Sequence, residues 1–159
     1  MTKTGAQYIE SLRDGRTIYL NGSLVENATE HPAYRNAIRS VARLYDFQAA
    51  PQNQELMTFT SPGRGERVGR HWQLPQSYQD LVQRRHVLTA WAEGSYGFFG
   101  RSPDHVASCL CGMVMGINVF QRHSEKRAAA LLDYFAYARD NDIFVTYVIV
   151  NPQANRSKG

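Results

Sequence analysis

The segment Tyr96-Gly97-Phe98-Phe99-Gly100-Arg101-Ser102-Pro103-Asp104-His105 sets a permanent cation between a run of aromatic residues and the start of a helix. Ser102 is a favourable N-cap, and proline at the first helical position gives up only an amide hydrogen that the helix could not use. The free amides and dipole of that helix end reinforce Arg101, making an electropositive corner flanked by rings. Such a corner suits a phenolate, a carboxylate or a developing oxyanion. The same residues also allow a plainer reading, in which Arg101 pairs with an acid and Ser102-Pro103 merely opens a helix.

Amphipathic helices extend on both sides of this segment. Upstream, Ser77 and Asp80 form a capping pair for a helix running to Trp91, with Leu81, Val87, Leu88 and Trp91 as its apolar positions. Downstream, the Pro103 helix carries Val106, Leu110, Met113, Val114 and Ile117. Ser124 opens another helix to about Arg139, with Leu131, Leu132, Phe135 and Ala138.

Nearer the N-terminus, Thr4 and Gln7 make a capping box for a helix over residues 4–13. Asn21-Gly22 is a strong hairpin signal between residues 17–20 and 23–25. Pro32 starts a helix striped by Tyr34, Ala37, Ile38, Val41, Leu44 and Tyr45, and residues 57–60 and 67–72 read as a second hairpin. Residues 143–150 are apolar and β-branched, a buried strand ended by Asn151-Pro152. A buried strand needs a ladder partner, and none is local, which favours a further domain downstream. The expected architecture is therefore mainly α with small β-hairpins, five helices in all, ending in a strand.

Composition narrows the function classes. The 159 residues carry a net charge of +4, and their basic residues are scattered rather than gathered in a stripe, so nucleic acid is not the expected partner. No apolar run reaches membrane-spanning length and no signal-peptide core opens the chain, so the expectation is a cytoplasmic protein with no membrane partner. Cys109 and Cys111 have neither zinc nor disulfide spacing and read as free buried thiols. His31, His71, His86, His105 and His123 form no paired helical motif, so no metal site is expected. The remaining chemical candidates are Arg101 as an anion holder, His105 one turn into the same helix as an acid or base, and Tyr147 on the last strand. On the residues alone, core packing with a bonded hydroxyl is the favoured role for Tyr147, and a polar surface role is favoured for His105.

Several motifs, in order along the chain, resemble the N-terminal domain of the 4-hydroxyphenylacetate 3-hydroxylase family. They are Thr4-Gly5-Ala6-Gln7-Tyr8 through Asp14-Gly15-Arg16, the hairpin, His31-Pro32-Ala33-Tyr34-Arg35-Asn36 with Leu44-Tyr45-Asp46, residues 97–104, and Val148-Ile149-Val150-Asn151-Pro152-Gln153 with Arg156-Ser157. The resemblance implies the oxygenase component of a two-component flavin monooxygenase with an acyl-CoA-dehydrogenase-like architecture. A helical N-terminal domain (residues 1–142) would lead through residues 143–159 into an FAD-binding β-domain, whose remainder is absent from these 159 residues. It further implies a tetramer, a separate reductase supplying reduced FAD (FADH2), and hydroxylation of a phenol such as 4-hydroxyphenylacetate beside its hydroxyl group. Family members run to about three times this length, so the 159 residues taken alone are expected to be an inactive fragment.

Carried over residue by residue, the resemblance makes Arg101, His105 and Tyr147 catalytic. Ser102, Pro103 and Asp104 join them in binding the phenol, and Tyr147, Asn151, Gln153, Arg156 and Ser157 contact FAD. His105 stands where the family carries tyrosine, and Tyr147 where it carries histidine, so the two residue types are exchanged. The superfamily also holds an iron–sulfur dehydratase whose cluster cysteines lie four residues apart near this segment. The spacing of Cys109 and Cys111 speaks against that reading. A non-catalytic helical interaction or oligomerisation module, and an acyl-CoA-handling enzyme of the same architecture, are the alternatives.

Overall fold

The structure is a computed structural model and describes residues 2–147. Local signals set most of its elements. Helix α1, Gly5–Glu10, begins at a complete Thr4/Gln7 capping box. Strands β1 (Ile18–Leu20) and β2 (Ser23–Val25) pair antiparallel across Asn21-Gly22, both of which take positive φ (52° and 82°), as a tight two-residue turn requires. Helix α2, Arg35–Ala49, starts three residues later than Pro32 suggests, because His31 and Pro32 form a turn in which the His31 carbonyl accepts from Tyr34 and Arg35. A short α3, Gln54–Met57, runs into β3 (Thr58–Thr60), which pairs with β4 (Arg67–Gly69). Residues 70–72, read as a continuation of that hairpin, instead wind into a 3-10 turn that buries His71 and Trp72 completely.

Helix α4, Tyr78–Gly94, begins at the Ser77/Asp80 capping box. Helix α5 spans Asp104–Met115, and Gly116 separates it from α6, Ile117–His123. Helix α7, Glu125–Asp140, is capped by the Ser124 hydroxyl, which accepts from the Arg127 amide. The seven helices among the described residues exceed the five expected because α3 is one turn long and because Gly116 breaks the apolar stripe of the Pro103 helix in two. Cys111 is buried as expected, whereas Cys109 on the next face of α5 is exposed. Apolar positions on the outer faces of α4 and α5, Leu81 and Met113 among them, are exposed as well.

Three apolar clusters hold these elements. Tyr8, Val41, Ala42 and Tyr45 join α1 to α2, with Tyr8 stacked on Tyr45 at 5.2 Å. Leu44, Met57, Val87 and Trp91 join α2 and α3 to α4. Trp72, Val106, Ala107, Leu110, Cys111, Val114, Phe135 and Ala138 join the 3-10 turn to α5 and α7.

The chain leaving α7 corrects the expected strand. Residues 143–147 make no ladder, and residues 148–150 lie outside the described residues. The apolar alternation is nevertheless used. Ile143, Val145 and Tyr147 pack on the α5/α7 cluster, whereas Phe144 packs on the α1/α2 cluster. A period of two thus serves burial on two sides between helical layers, without hydrogen-bonded neighbours.

Candidate functional site

The exit segment brings Tyr147 onto the N-terminal end of α5. Tyr147 Oη lies 3.1 Å from His105 Nε2, and the two rings stack at 5.4 Å with an interplanar angle of 23°. The Arg101 guanidinium sits over the Tyr147 ring, 4.8 Å from its centroid, and its Nη1 donates to the Tyr147 carbonyl at 3.3 Å. Three residues separated by up to 46 positions in sequence therefore form one constellation. Among the described residues no carboxylate pairs with Arg101, so the plainer reading of this arginine as half of an ion pair does not hold there.

The helix start differs from the expected one. Pro103, fully buried, is the N-cap, and α5 begins at Asp104. The Ser102 hydroxyl donates to the Asp104 carboxylate instead of capping a backbone amide, while the Ser102 carbonyl accepts from the His105 amide at 3.1 Å. Asp104 in the first turn neutralises part of the helix-end field, so the positive character of the corner rests on Arg101 rather than on the dipole. Phe98 and Tyr96, 92% and 88% exposed, flank the corner, which is open to solvent. A cavity of about 430 Å³ lies beside it, between α2 and α4, lined by Leu44, Phe47, Trp91, Phe98 and Phe99. Asn151, Gln153, Arg156 and Ser157, the remaining cofactor candidates, lie outside the described residues.

Behind the corner lies a polar cluster that local sequence signals do not announce. Asp142 is 2% exposed, with φ at +45°. Its Oδ2 accepts from Gln48 Nε2 at 2.6 Å and from the Gly69 amide at 3.2 Å, and its Oδ1 lies 3.6 Å from His71 Nε2. Its carbonyl accepts from the Tyr45 hydroxyl at 3.0 Å and from Lys3 Nζ at 3.5 Å. Burial pushes the Asp142 carboxyl up to about 6, against the bonds from Gln48 and Gly69. Burial, with the nearby Arg84 cation, pushes His71 down to about 3. His71 is therefore neutral in the fold above about pH 3, whereas Asp142 takes up its proton only as the pH falls below about 6. Gly69 is small of necessity, because a Cβ there would strike the His71 ring. Arg84 ties the 3-10 turn to α5, donating to the His71 and Gln73 carbonyls and to Ser108 Oγ. The one local hint of this cluster is an aspartate where a helix end favours glycine.

The helical layer with its two small hairpins matches the N-terminal region of solved oxygenase components. The oxygenase component (HpaB) of 4-hydroxyphenylacetate 3-monooxygenase, in complex with FAD and 4-hydroxyphenylacetate, superposes with a TM-score of 0.86 at 33% identity, covering 97% of this chain and 31% of that one. An archaeal 4-hydroxybutyryl-CoA dehydratase from N. maritimus shares the fold at a TM-score of 0.77 and 24% identity, over all of this chain and 31% of that one. By sequence, the 4-hydroxyphenylacetate 3-monooxygenase oxygenase component of Geobacillus sp. (strain PA-9) is 37% identical over 157 residues, 98% of this chain and 31% of the relative. Residues 4–159 match the family model described as 4-hydroxyphenylacetate 3-hydroxylase N terminal. The chain belongs to the 4-hydroxyphenylacetate 3-hydroxylase family and carries its N-terminal region. It spans about a third of the length of the curated relatives it matches.

Proposed function

We propose that this chain is the N-terminal part of the oxygenase component of a two-component flavin monooxygenase, which hydroxylates a phenol beside its hydroxyl group. The observation that carries this reading is Arg101, which among the described residues has no carboxylate partner and is held face-on by Tyr147 beside the Tyr147–His105 pair. A fixed cation with free N–H groups stabilises a phenolate, and a phenolate ring is far more electron-rich than the phenol. Arg101 holds the phenolic oxygen. His105 and Tyr147 take and return its proton through their shared hydrogen bond, and Ser102, Pro103 and Asp104 shape the loop around it. Exchange of tyrosine and histidine leaves one hydroxyl and one imidazole at the same place, so the capacity to move a proton is retained.

The described residues fit such a cofactor site only in part: Arg101 and Tyr147 lie at an open, aromatic-flanked corner, and Asn151, Gln153, Arg156 and Ser157 would supply the further contacts. Reduced FAD, when bound, supplies the two electrons with which one atom of O2 enters the ring and the other leaves as water. A separate flavin reductase would provide it, and the protein would assemble as a tetramer in the cytoplasm, binding neither nucleic acid nor membrane. Among the described residues, no helix is long and apolar enough to cross a membrane.

Mixing the complete protein with reduced FAD, O2 and 4-hydroxyphenylacetate tests the reading. A catechol product that is lost in Arg101→Ala supports it. No product from any para-substituted phenol, with no flavin binding, leaves a helical interaction module instead.

A further inference from the structure

Helix α7 ends in a paired-bond motif that favours glycine. The Asp142 amide donates to the Arg139 carbonyl at 3.0 Å, and the Ile143 amide donates to the Ala138 carbonyl at 3.1 Å, with Asp142 itself in the left-handed region. Glycine takes that position without strain, whereas a side chain there costs free energy. Asp142 adds a second cost, because its carboxyl is buried and its Oδ1, like both ring nitrogens of His71, has no hydrogen-bond partner among the described residues. A residue that breaks two local rules at one point is expected where function requires it.

What the carboxyl fixes is the direction of the chain. Its Oδ2 is gripped by Gln48 of α2 and by the Gly69 amide at the end of β4, while Tyr45 and Lys3 hold its carbonyl. Five residues further on, the same backbone delivers the Tyr147 hydroxyl to His105 and the Tyr147 carbonyl to Arg101. No ladder steadies residues 143–147, so among the described residues Asp142 is the nearest side-chain anchor shown upstream of Tyr147. We propose that Asp142 is a positioning residue, whose buried carboxyl aims the exit segment of α7 so that Tyr147 closes on Arg101 and His105. This inference rests on the proposed role of Tyr147.

Three variants in the complete protein test it. Asp142→Asn keeps an acceptor for Gln48 and Gly69 and tolerates the left-handed backbone. Asp142→Gly relieves the backbone but removes the grip. Tyr147→Phe removes the hydroxyl that the grip is said to aim. The readout is catechol formed per reduced FAD consumed in a single turnover with protein in excess, a ratio that loss of folded protein does not move.

Asp142→Gly should lower that ratio about tenfold, and Asp142→Asn should stay within about threefold of the parent. In the Tyr147→Phe background, Asp142→Gly should cost less than about twofold more, because the two changes act through one contact. Full multiplication of the two effects, or an Asp142→Gly protein as well coupled as the parent, overturns the inference while leaving the site reading intact. A Tyr147→Phe protein as well coupled as the parent overturns both. Gln48→Met removes the donor from α2 without touching residue 142, and it decides the same cycle where Asp142→Gly does not fold.

Discussion

Asp142→Asn should make the stability of this region depend on pH where the parent's does not. His71 is held neutral in the fold, its pKa pushed down from 6.5 to about 3 by burial and then by Arg84. Asp142 is pushed up from 3.8 to about 6 by burial. For the histidine, only the unfolded chain takes a proton below pH 6.5, so the fold loses stability as pH falls. For the carboxyl the sign is opposite, since between 3.8 and about 6 only the folded chain holds the proton, and the fold gains stability as pH falls. Across that window each state carries one proton on the pair, on Asp142 when folded and on His71 when unfolded. The two slopes cancel.

The asparagine variant keeps the hydrogen bonds to Gln48 and Gly69 but has no proton to gain. At about 1.4 kcal/mol per pH unit, it should lose about 2 kcal/mol relative to the parent between pH 7.5 and pH 4.5. Hydrogen exchange of peptides covering residues 69–72 and 138–144 in the complete protein, converted to opening free energies at both pH values, measures the difference. A variant whose opening energy changes with pH no more than the parent's would refute the reasoning.

Further consequences concern the corner and the packing beneath it. His105→Tyr and Tyr147→His should each lower catechol turnover by about tenfold or more, while the double exchange recovers most of the loss because hydroxyl and imidazole are both restored. Steady-state rates on the four proteins decide whether the pair acts as a unit. Arg101→Lys should recover little of what Arg101→Ala loses, since an ammonium cannot both sit over the Tyr147 ring and keep the guanidinium's forked donors; rates within about twofold of the parent would contradict this. Trp91→Ala, which empties a site 2% exposed and removes the indole bond to the Leu44 carbonyl, should cost about 3–5 kcal/mol in a denaturant titration. Gly5→Ala should cost about 1–3 kcal/mol by the same titration, because its Cβ would overlap the Ala42 carbonyl oxygen where α1 crosses α2.

The elements legible in the sequence are those whose cause is local. Thr4 with Gln7, Ser77 with Asp80, and Asn21-Gly22 each fix a boundary within four residues, and each forms as read. Gly116 is equally local, but an apolar stripe continuing through Ile117 masks the break. Residues 143–147 show the limit of periodicity: alternation reports burial on two sides, and says nothing of whether a ladder partner exists.

Arg101, His105 and Tyr147 each stood out by residue type and local position, but no spacing rule joins Tyr147 to residues 42 and 46 positions away. The family resemblance grouped the three, and their mutual contacts came from the fold. The Asp142 cluster joins residues 71 to 94 positions apart on α2, the 3-10 turn and the end of α7. Nothing in the neighbourhood of Gln48 or His71 marks either as a buried partner of a carboxylate. Ser102 misled for a local reason, since its hydroxyl had two competing acceptor and donor groups within reach and took the Asp104 carboxylate.

The most direct test of the oxygenase reading is a single turnover of the complete protein with anaerobically reduced FAD, 4-hydroxyphenylacetate and an O2 pulse, with products separated and quantified. The account predicts a catechol bearing one oxygen atom from O2, formed by the parent and abolished in Arg101→Ala. Oxidation of the flavin with release of hydrogen peroxide alone, unaffected by the phenol or by Arg101, would contradict it.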